Sequence, residues 1–233
     1  MTGRITNQIA KAMRIRFFCL MLAALFFSCS DVETIENKDG NGVLLEKYSR
    51  RKDTFAKQGK YLAFHSNGQI AEESWYENDT LHGERKLFYE TGKLESIEHH
   101  NHGKFEGTYQ HFYENGQLSN EGKYVNNEMT GTWKRWYDTG ELREEVTFAQ
   151  NNENGPFKLY RKNGQVEFEG NYISGDNEHG ELKEYSENGE HIKTMFCHYG
   201  VCATTWSKDQ GTIEIDSAHI IALGEMNKLK FGL

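Results

Sequence analysis

Two cysteines near the end of the chain could carry covalent or metal chemistry. Cys197 and Cys202 enclose the segment His-Tyr-Gly-Val, whose glycine favours a tight turn. In an oxidising compartment, two thiols brought together by such a turn form a disulfide, which is the preferred interpretation. The alternative is a metal site in which His191 or His198 joins the two thiolates.

A second group of residues, His99-His100-Asn101-His102, offers imidazoles that could bind a metal ion. His100 and His102 would share one face of an extended strand, because successive side chains alternate between faces. However, no cysteine or carboxylate stands beside them at a ligand-like spacing. A solvated turn is the preferred interpretation, and we expect no metal site and no cofactor.

The sequence contains none of the short motifs that are typical of catalysis. A nucleophile elbow, a phosphate-binding glycine loop, an HExxH motif and a zinc ribbon are all absent from it. We therefore expect a protein that is not an enzyme.

The start of the chain is typical of a secretory signal. From Met13 a basic stretch leads into the charge-free run from Phe17 to Phe27, which is too short to span a bilayer as a helix. Ser28-Cys29 then resembles the processing site of a lipoprotein of the Bacteroidetes type, although Phe26 stands where an aliphatic residue is usual. The resemblance implies cleavage before Cys29, a diacylglycerol on its sulfur and, with Ser30 next, the outer membrane.

Two other interpretations of this segment stay open, an uncleaved anchor and a secretory signal with an unlipidated cysteine. We expect residues 1–28 to be a signal peptide, whose true start could be Met13, and the mature protein to be extracytoplasmic and lipid-anchored.

Removing the leader takes away four basic residues, so that 27 basic against 35 acidic residues become 23 against 35. A body this acidic does not favour nucleic acid as a partner and is repelled by anionic headgroups.

Residues 59 to about 195 follow a period of 24 residues. Glycines recur at Gly59, Gly83, Gly107, Gly131, Gly155 and Gly180, and a second glycine series follows nine residues behind each of them. An aromatic residue stands five positions after each first glycine, and an aliphatic residue stands two positions after the second, except at His191. Each unit predicts a strand, an Asn-Gly or Thr-Gly hairpin turn and a returning strand. Short connections require neighbouring strands to pair antiparallel.

The pattern G-x-W-x-x-W/F-Y-x-x-G-x-L-x-x-E-x-x-Y-x-N is similar to the MORN-type repeat, in particular to a bacterial variant described as an antitoxin component of toxin–antitoxin modules. The resemblance implies an all-β fold, an elongated single-layer antiparallel meander of hairpins, with no catalytic residue. It covers six repeats from residue 59 and a degraded half-repeat at 42–58, within a repeat sheet at 42–195. The related proteins are linked to membranes, scaffolding and dimerisation.

The aromatic residues of the repeats have two possible roles. Same-face aromatics on neighbouring strands can form a packing ladder, which is the preferred interpretation. A single-layer sheet leaves some of them exposed, and these could bind a protein or a glycan. The candidate residues for this binding face are Phe112, Trp133, Trp136, Tyr137 and Tyr160.

The two ends of the chain lie outside the repeats. Residues 29–41 are polar and predict a flexible, lipidated tether. Residues 196–233 break the period and predict a cap for the open sheet edge, with strands at 212–215 and 219–223 and a last one at 228–233.

The sequence therefore predicts a non-enzymatic scaffold lipoprotein that binds an unknown protein partner at the cell envelope. The alternatives are an antitoxin or immunity partner of a toxin and a module that binds envelope glycans. A lipidated export signal conflicts with an antitoxin that meets its toxin in the cytoplasm, but not with an immunity role outside it.

Overall fold

The computed structural model describes residues 31–231, so the predicted signal peptide and Cys29 lie outside the described residues. Within this range, nineteen strands form one antiparallel sheet, and a single α-helix follows them. Nearly every strand pairs with the strand before it and the strand after it, as in a meander. The prediction of an all-β sheet of hairpin repeats is confirmed.

The first hairpin and the first two repeats contain β1 (Val32–Lys38), β2 (Leu44–Arg51), β3 (Lys57–Phe64), β4 (Ile70–Glu77), β5 (Thr80–Leu81), β6 (Gly83–Phe88) and β7 (Leu94–Asn101). The next three repeats contain β8 (Lys104–Phe105), β9 (Gly107–Phe112), β10 (Leu118–Val125), β11 (Glu128–Trp136), β12 (Leu142–Ala149), β13 (Asn152–Tyr160) and β14 (Val166–Ile173). The remaining elements are β15 (Asn177–Glu178), β16 (Gly180–Tyr185), β17 (His191–His198), β18 (Val201–Ser207), β19 (Gly211–Thr212) and the helix α1 (Ser217–Phe231).

The aromatic and aliphatic columns of the sequence are cross-strand partners in the first five repeats, and in the sixth Tyr185 lies opposite His191. Trp136 lies opposite Leu142, and Tyr160 lies opposite Val166. The register shifts next to this pair in each repeat, so each hairpin carries a bulge at the same place. Each 24-residue repeat therefore forms the same hairpin, with its β-bulge at the same position.

The hairpin turns follow the predicted Asn-Gly chemistry. In the third repeat Tyr113 N–H donates to the carbonyl of Gln117 (2.8 Å) and Gly116 N–H donates to the carbonyl of Tyr113 (2.8 Å). Asn115 Oδ1 accepts a further bond from Gln117 N–H (2.9 Å), and Gly116 takes a φ of +91°. Glycine adopts this left-handed conformation at little steric cost.

The buried apolar side chains gather on one face of the later repeats. Trp133, Val146, Phe148, Phe157 and Leu182 form one cluster together with Cys197. Rings of neighbouring strands touch within it, as in the stacked pair Phe157 and Tyr172, whose centroids are 3.9 Å apart. The sheet has no second layer over most of its length, so its core is this ladder of side chains.

The prediction of a flexible tether at 29–41 is wrong for most of its length. Residues 32–38 form β1, which pairs with β2 from Val32 opposite Arg51 to Lys38 opposite Leu44. The alternating charges of the two strands face each other, and Lys47 Nζ lies 2.9 Å from Glu36 Oε1. Polar strands can pair at the end of a sheet because a neighbouring strand satisfies their backbone hydrogen bonds.

The prediction of strands in the C-terminal cap is also wrong, except at Gly211–Thr212. Residues 217–231 form the helix α1, so neither 219–223 nor the described part of 228–233 is a strand. Asp216 caps the helix, because its Oδ1 accepts a bond from His219 N–H (3.1 Å). The helix packs against β17 and β18, and Gly224 allows its backbone to approach the carbonyl of His198.

Candidate functional site

Trp133 belongs to the core and not to a binding face. Its side chain is only 6% exposed, and its ring contacts those of Tyr109, Tyr124 and Phe148 at centroid distances of 5.1–6.0 Å. A ring enclosed in this way cannot meet a ligand. Trp133 is therefore part of the packing ladder, and the suggestion that it binds a partner is wrong.

The other four proposed binding aromatics are half-buried, and two of them have structural partners. Tyr137 Oη donates to the carbonyl of Tyr160 (3.0 Å), and Tyr160 Oη donates to Glu145 Oε2 (2.8 Å). Burial and this carboxylate raise the pKa of Tyr160 to about 12. Phe112 and Trp136 face their cross-strand partners Leu118 and Leu142. These side chains do not form an exposed stripe.

A column of hydrogen bonds ties the hairpin turns of successive repeats together. In each case, the residue directly after the aromatic column donates a side-chain hydrogen bond to the backbone carbonyl of the column aromatic in the next repeat. The pairs are Tyr89 to Phe112, Tyr113 to Trp136, Tyr137 to Tyr160 and Arg161 to Tyr185. Their lengths are 2.6–3.0 Å. The recurring tyrosine of the motif is therefore a structural staple between repeats.

In the second repeat a polar network replaces the aromatic ladder. Arg85 stands where other repeats have Tyr109 or Trp133, and its guanidinium contacts Glu72 (2.8 Å) and Glu98 (3.1 Å). Glu98 also contacts Nε2 of the buried His100 (3.0 Å). Burial alone would raise the pKa of Glu72, but hydrogen bonds from Arg85 and Ser74 hold it below the usual value. These charges neutralise each other, and the network is structural.

An exposed aromatic surface lies in the first repeat, at Trp75. Its side chain is 52% exposed, since it points away from the face that buries its neighbour Ser74. It lines an open groove of about 470 Å³ together with Lys60, Glu73, Glu84 and Lys86. Sequence reasoning missed this residue because Trp75 belongs to none of the recurring columns. We call this surface the Trp75 groove.

The charged side chains of the Trp75 groove pair with one another. Lys60 Nζ lies 2.7 Å from Glu73 Oε1, and Lys86 Nζ lies 2.8 Å from Glu84 Oε1. The later repeats continue this outer face with the pairs Lys134–Glu145 (3.0 Å) and Lys158–Glu169 (3.1 Å). The outer face is therefore a rigid array of alternating charges, and the groove adds an apolar ring to it.

The structure separates the histidines of the second repeat. His100 is buried against Glu98, and His99 Nδ1 is bound to the carbonyl of Thr108 (2.9 Å). His102 lies in the turn after β7, and its ring centroid is 5.2 Å from that of His82. His100 and His102, the pair on which the alternative of a metal site depended, therefore have different neighbours, and that of His102 comes from an earlier turn.

At the C-terminal end, Cys197 and Cys202 are cross-strand partners in β17 and β18, and a disulfide joins them. His198 points to the helix, where its Nε2 contacts Glu225 Oε1 at 2.9 Å. Between residues 31 and 231, no helix is long and apolar enough to cross a membrane.

The fold defines the class of the protein, a repeat protein built from β-hairpins that stack on neighbours of the same kind. Comparison with known families agrees with this description. The family described as MORN repeat variant matches residues 57–79, 81–102, 105–126, 129–150, 153–174 and 178–196, which together make up more than half of the chain. The chain belongs to the MORN repeat variant family. No curated protein matches it closely enough to count as a relative.

Membership of the family has a general functional meaning. MORN repeats are generally modules that bind proteins or membranes, and the family is typically not catalytic. The six matched segments coincide with the six hairpins, because each begins near the turn that precedes a first strand. The chain therefore consists of repeats of a type that generally binds proteins or membranes.

Proposed function

We propose that this protein is a non-enzymatic, lipid-anchored scaffold of the bacterial cell envelope that binds a protein partner at the Trp75 groove. The observation that carries the proposal is the exposed indole of Trp75, 52% exposed on a sheet whose other tryptophans are packed or half-buried within the described residues. Tryptophan is enriched among the residues that dominate protein–protein binding energy.

The surroundings of Trp75 favour a protein as the partner. An apolar centre with a charged rim is the usual anatomy of a protein–protein interface. Lys60, Glu73, Glu84 and Lys86 supply such a rim, with charges of both signs. An anionic membrane surface fits less well, because the acidic residues of the groove would repel it.

The lipid anchor would hold this surface close to the membrane. Only Ser30 and Asp31 lie between Cys29 and Val32, where β1 begins, so these three residue steps span at most about 10 Å. An acyl chain on Cys29 would then attach the end of the sheet to the membrane without a long tether. This supports a role for the sheet at the outer membrane of the envelope.

The anchor is tested by expressing the chain and its Cys29→Ser variant in a Gram-negative host. We expect the unaltered protein to partition into detergent and the variant to be released or left unprocessed. A variant that stays in the membrane and is processed at the same site would contradict lipidation.

The partner is tested with a photoreactive amino acid at position 75 in living cells. A matched control places the same group at Lys123, which is exposed at the equivalent position of the third repeat. We expect a discrete cross-linked protein from position 75 and none from position 123. The same product from both positions, or none from position 75, would contradict the proposal.

The two alternatives have their own tests. Binding to a glycan array that Trp75→Ala abolishes would favour envelope glycan as the ligand. Protection of cells against a toxin encoded next to this chain would favour the immunity role.

A further inference from the structure

The exit turns, which connect one repeat to the next, are fastened by side chains. In three of them the turn has two residues, and the side chain of the second accepts a hydrogen bond from a backbone N–H near the start of the strand that follows the preceding exit turn. The bonds run from Lys57 to Asp79 (2.6 Å), from Phe105 to Asn127 (2.7 Å) and from Met129 to Asn151 (2.7 Å). We call this contact the turn clip.

The exit turn of the second repeat lacks the turn clip. Its two residues are His102 and Gly103, and a glycine has no side chain that could accept the bond. The backbone contact of this turn remains, since Gly103 N–H donates to the carbonyl of Leu81 (2.8 Å). This turn is therefore held to the preceding one by one bond fewer than its neighbours.

Three side chains with metal-binding atoms gather where the turn clip is missing. Glu77, His82 and His102 each place one such atom within 4.8 Å of the other two. Glu77 ends β4, His82 lies between β5 and β6, and His102 lies in the turn after β7. The cluster thus spans the exit turns of the first and second repeats.

His82 does not accept the hydrogen bond that the equivalent residues of the neighbouring repeats accept. Gln58 and Glu106 stand at the equivalent position, and each accepts a bond from a backbone N–H twenty residues later, at Asn78 (3.2 Å) and Asn126 (2.8 Å). In contrast, Nδ1 of His82 is buried and has no hydrogen-bond partner among the described residues. A buried polar atom without a partner is costly unless a ligand satisfies it.

His102 is oriented by a neighbour. Its Nδ1 lies 2.6 Å from Asn101 Oδ1, which fixes the proton on that nitrogen and leaves Nε2 as the free acceptor. Metal-binding histidines usually donate their other ring N–H to an oxygen in this way. Glu77 makes no ion pair with the residues that the structure describes, so its carboxylate is available.

We propose that Glu77, His82 and His102 form a binding site for a divalent transition-metal ion, with Zn²⁺ as the best match. Two imidazoles and a carboxylate are a ligand set that zinc accepts in tetrahedral geometry, with water in the fourth position. The ion replaces the missing turn clip and joins the exit turns of the first two repeats. This proposal departs from the expectation, drawn from the sequence, that the chain binds no metal.

In the last repeat, contacts with the helix hold an exit turn that lacks the turn clip. Its exit turn also ends in a glycine, Gly200. There the helix supplies the contacts, because Asn227 Nδ2 donates to the carbonyl of Tyr199 (2.7 Å) and Glu225 contacts His198. The second repeat has no such helix over it, and the metal ligands stand in its place.

The site is tested by titrating the full chain, purified in detergent, with Zn²⁺ in a calorimeter and with Co²⁺ in an absorption spectrometer. We expect one ion per chain and the visible absorption of a tetrahedral Co²⁺ complex. His82→Ala, His102→Ala and Glu77→Gln should each lower the affinity about tenfold or more, and Asn101→Ala about tenfold. His219→Ala, which removes an exposed imidazole from the helix, should leave binding unchanged.

A second measurement separates loss of the site from loss of the fold. Zn²⁺ should raise the Tm of the unaltered chain and not that of His82→Ala, while both give the same circular dichroism spectrum. Gly103→Asn, which restores the turn clip in a backbone of positive φ (+77°), should raise the Tm of the metal-free chain. Zn²⁺ affinity that is unaffected by both histidine substitutions, or no binding by the full chain, would overturn the proposal.

Discussion

The indole ring of Trp133 lies directly on Gly122 of the neighbouring strand. A Cβ atom at Gly122 would overlap the ring, so no larger residue fits there without moving it. In the next repeat, Val146 stands at the position equivalent to Gly122. The ring that faces Val146 is that of Phe157, which is smaller than an indole. In these two repeats the larger ring, Trp133, therefore faces a glycine, and the smaller ring, Phe157, faces a valine.

Substitutions at this contact should destabilise the sheet. Gly122→Ala should cost about 1–3 kcal/mol because the core is overpacked. Trp133→Ala should cost about 3–5 kcal/mol because it leaves a cavity in the ladder. Urea denaturation followed by circular dichroism measures both. Trp75→Ala is the control, and its cost should stay below about 1 kcal/mol, since half of that side chain is in water.

The tyrosine staples should contribute to stability through single hydrogen bonds. Tyr113→Phe removes the donor to the carbonyl of Trp136 and should cost about 1 kcal/mol. Tyr109→Phe removes a hydroxyl that has no hydrogen-bond partner among the described residues, so it should be nearly neutral. Equal unfolding free energies for the two variants would show that the staple contributes nothing.

Deletion of a whole repeat should leave a folded chain. Removing residues 107–130 joins equivalent positions of two repeats, so every remaining strand keeps its register. Removing residues 112–123 takes out parts of β9 and β10 and should prevent folding, because the surviving strands would turn inward-facing residues outward. Thermal melts followed by circular dichroism distinguish the two. Similar loss from both deletions would contradict a repeat as the folding unit.

The Arg85 network should make stability depend on acid pH. The pKa of Glu72 lies below its usual value of 4.5 in the folded state. Its contribution is therefore complete above about pH 4.5 and is lost as the pH falls through the lowered folded value. Arg85→Met leaves Glu72 and Glu98 without a cation, which should raise the pKa of Glu72 and move the loss of stability to higher pH.

The urea midpoint measured between pH 7 and pH 3 tests this effect. At neutral pH, Arg85→Met should cost less than the roughly 3–5 kcal/mol of a fully buried pair, because the guanidinium is partly exposed. Lys60→Met breaks an exposed pair and should change neither the midpoint nor its pH dependence appreciably. Identical pH profiles for Arg85→Met and the unaltered chain would refute the assigned role.

The disulfide between Cys197 and Cys202 should be present in protein isolated from the envelope. Mass spectrometry without reductant should find this pair two hydrogen atoms lighter than after reduction. The bridge closes a short loop, so reduction should lower the Tm only slightly. Free thiols in the isolated protein would contradict the assignment.

The sequence by itself determined the hairpin, its period and its pairing. The turns need a positive φ that glycine adopts at little steric cost, and connections this short permit only antiparallel neighbours, so these features are encoded locally. The columns represented by Trp136 and Leu142 were visible in the sequence because a repeated contact requires repeated residues. The pairing of Cys197 with Cys202 was expected from the tight turn between them and from the export signal, with a metal site as the alternative.

Only the tertiary structure decided which side chains are exposed and which distant turns meet. Trp133 and Trp75 cannot be told apart by residue type, and burial depends on which face of the sheet each strand turns inward. The strand β1 and the helix α1 fall outside the repeat, where no period reinforces a weak local preference and contacts with β2, β17 and β18 settle the outcome. His82 and His102 come together because stacking places residues twenty apart side by side, which the spacing within one strand could not reveal.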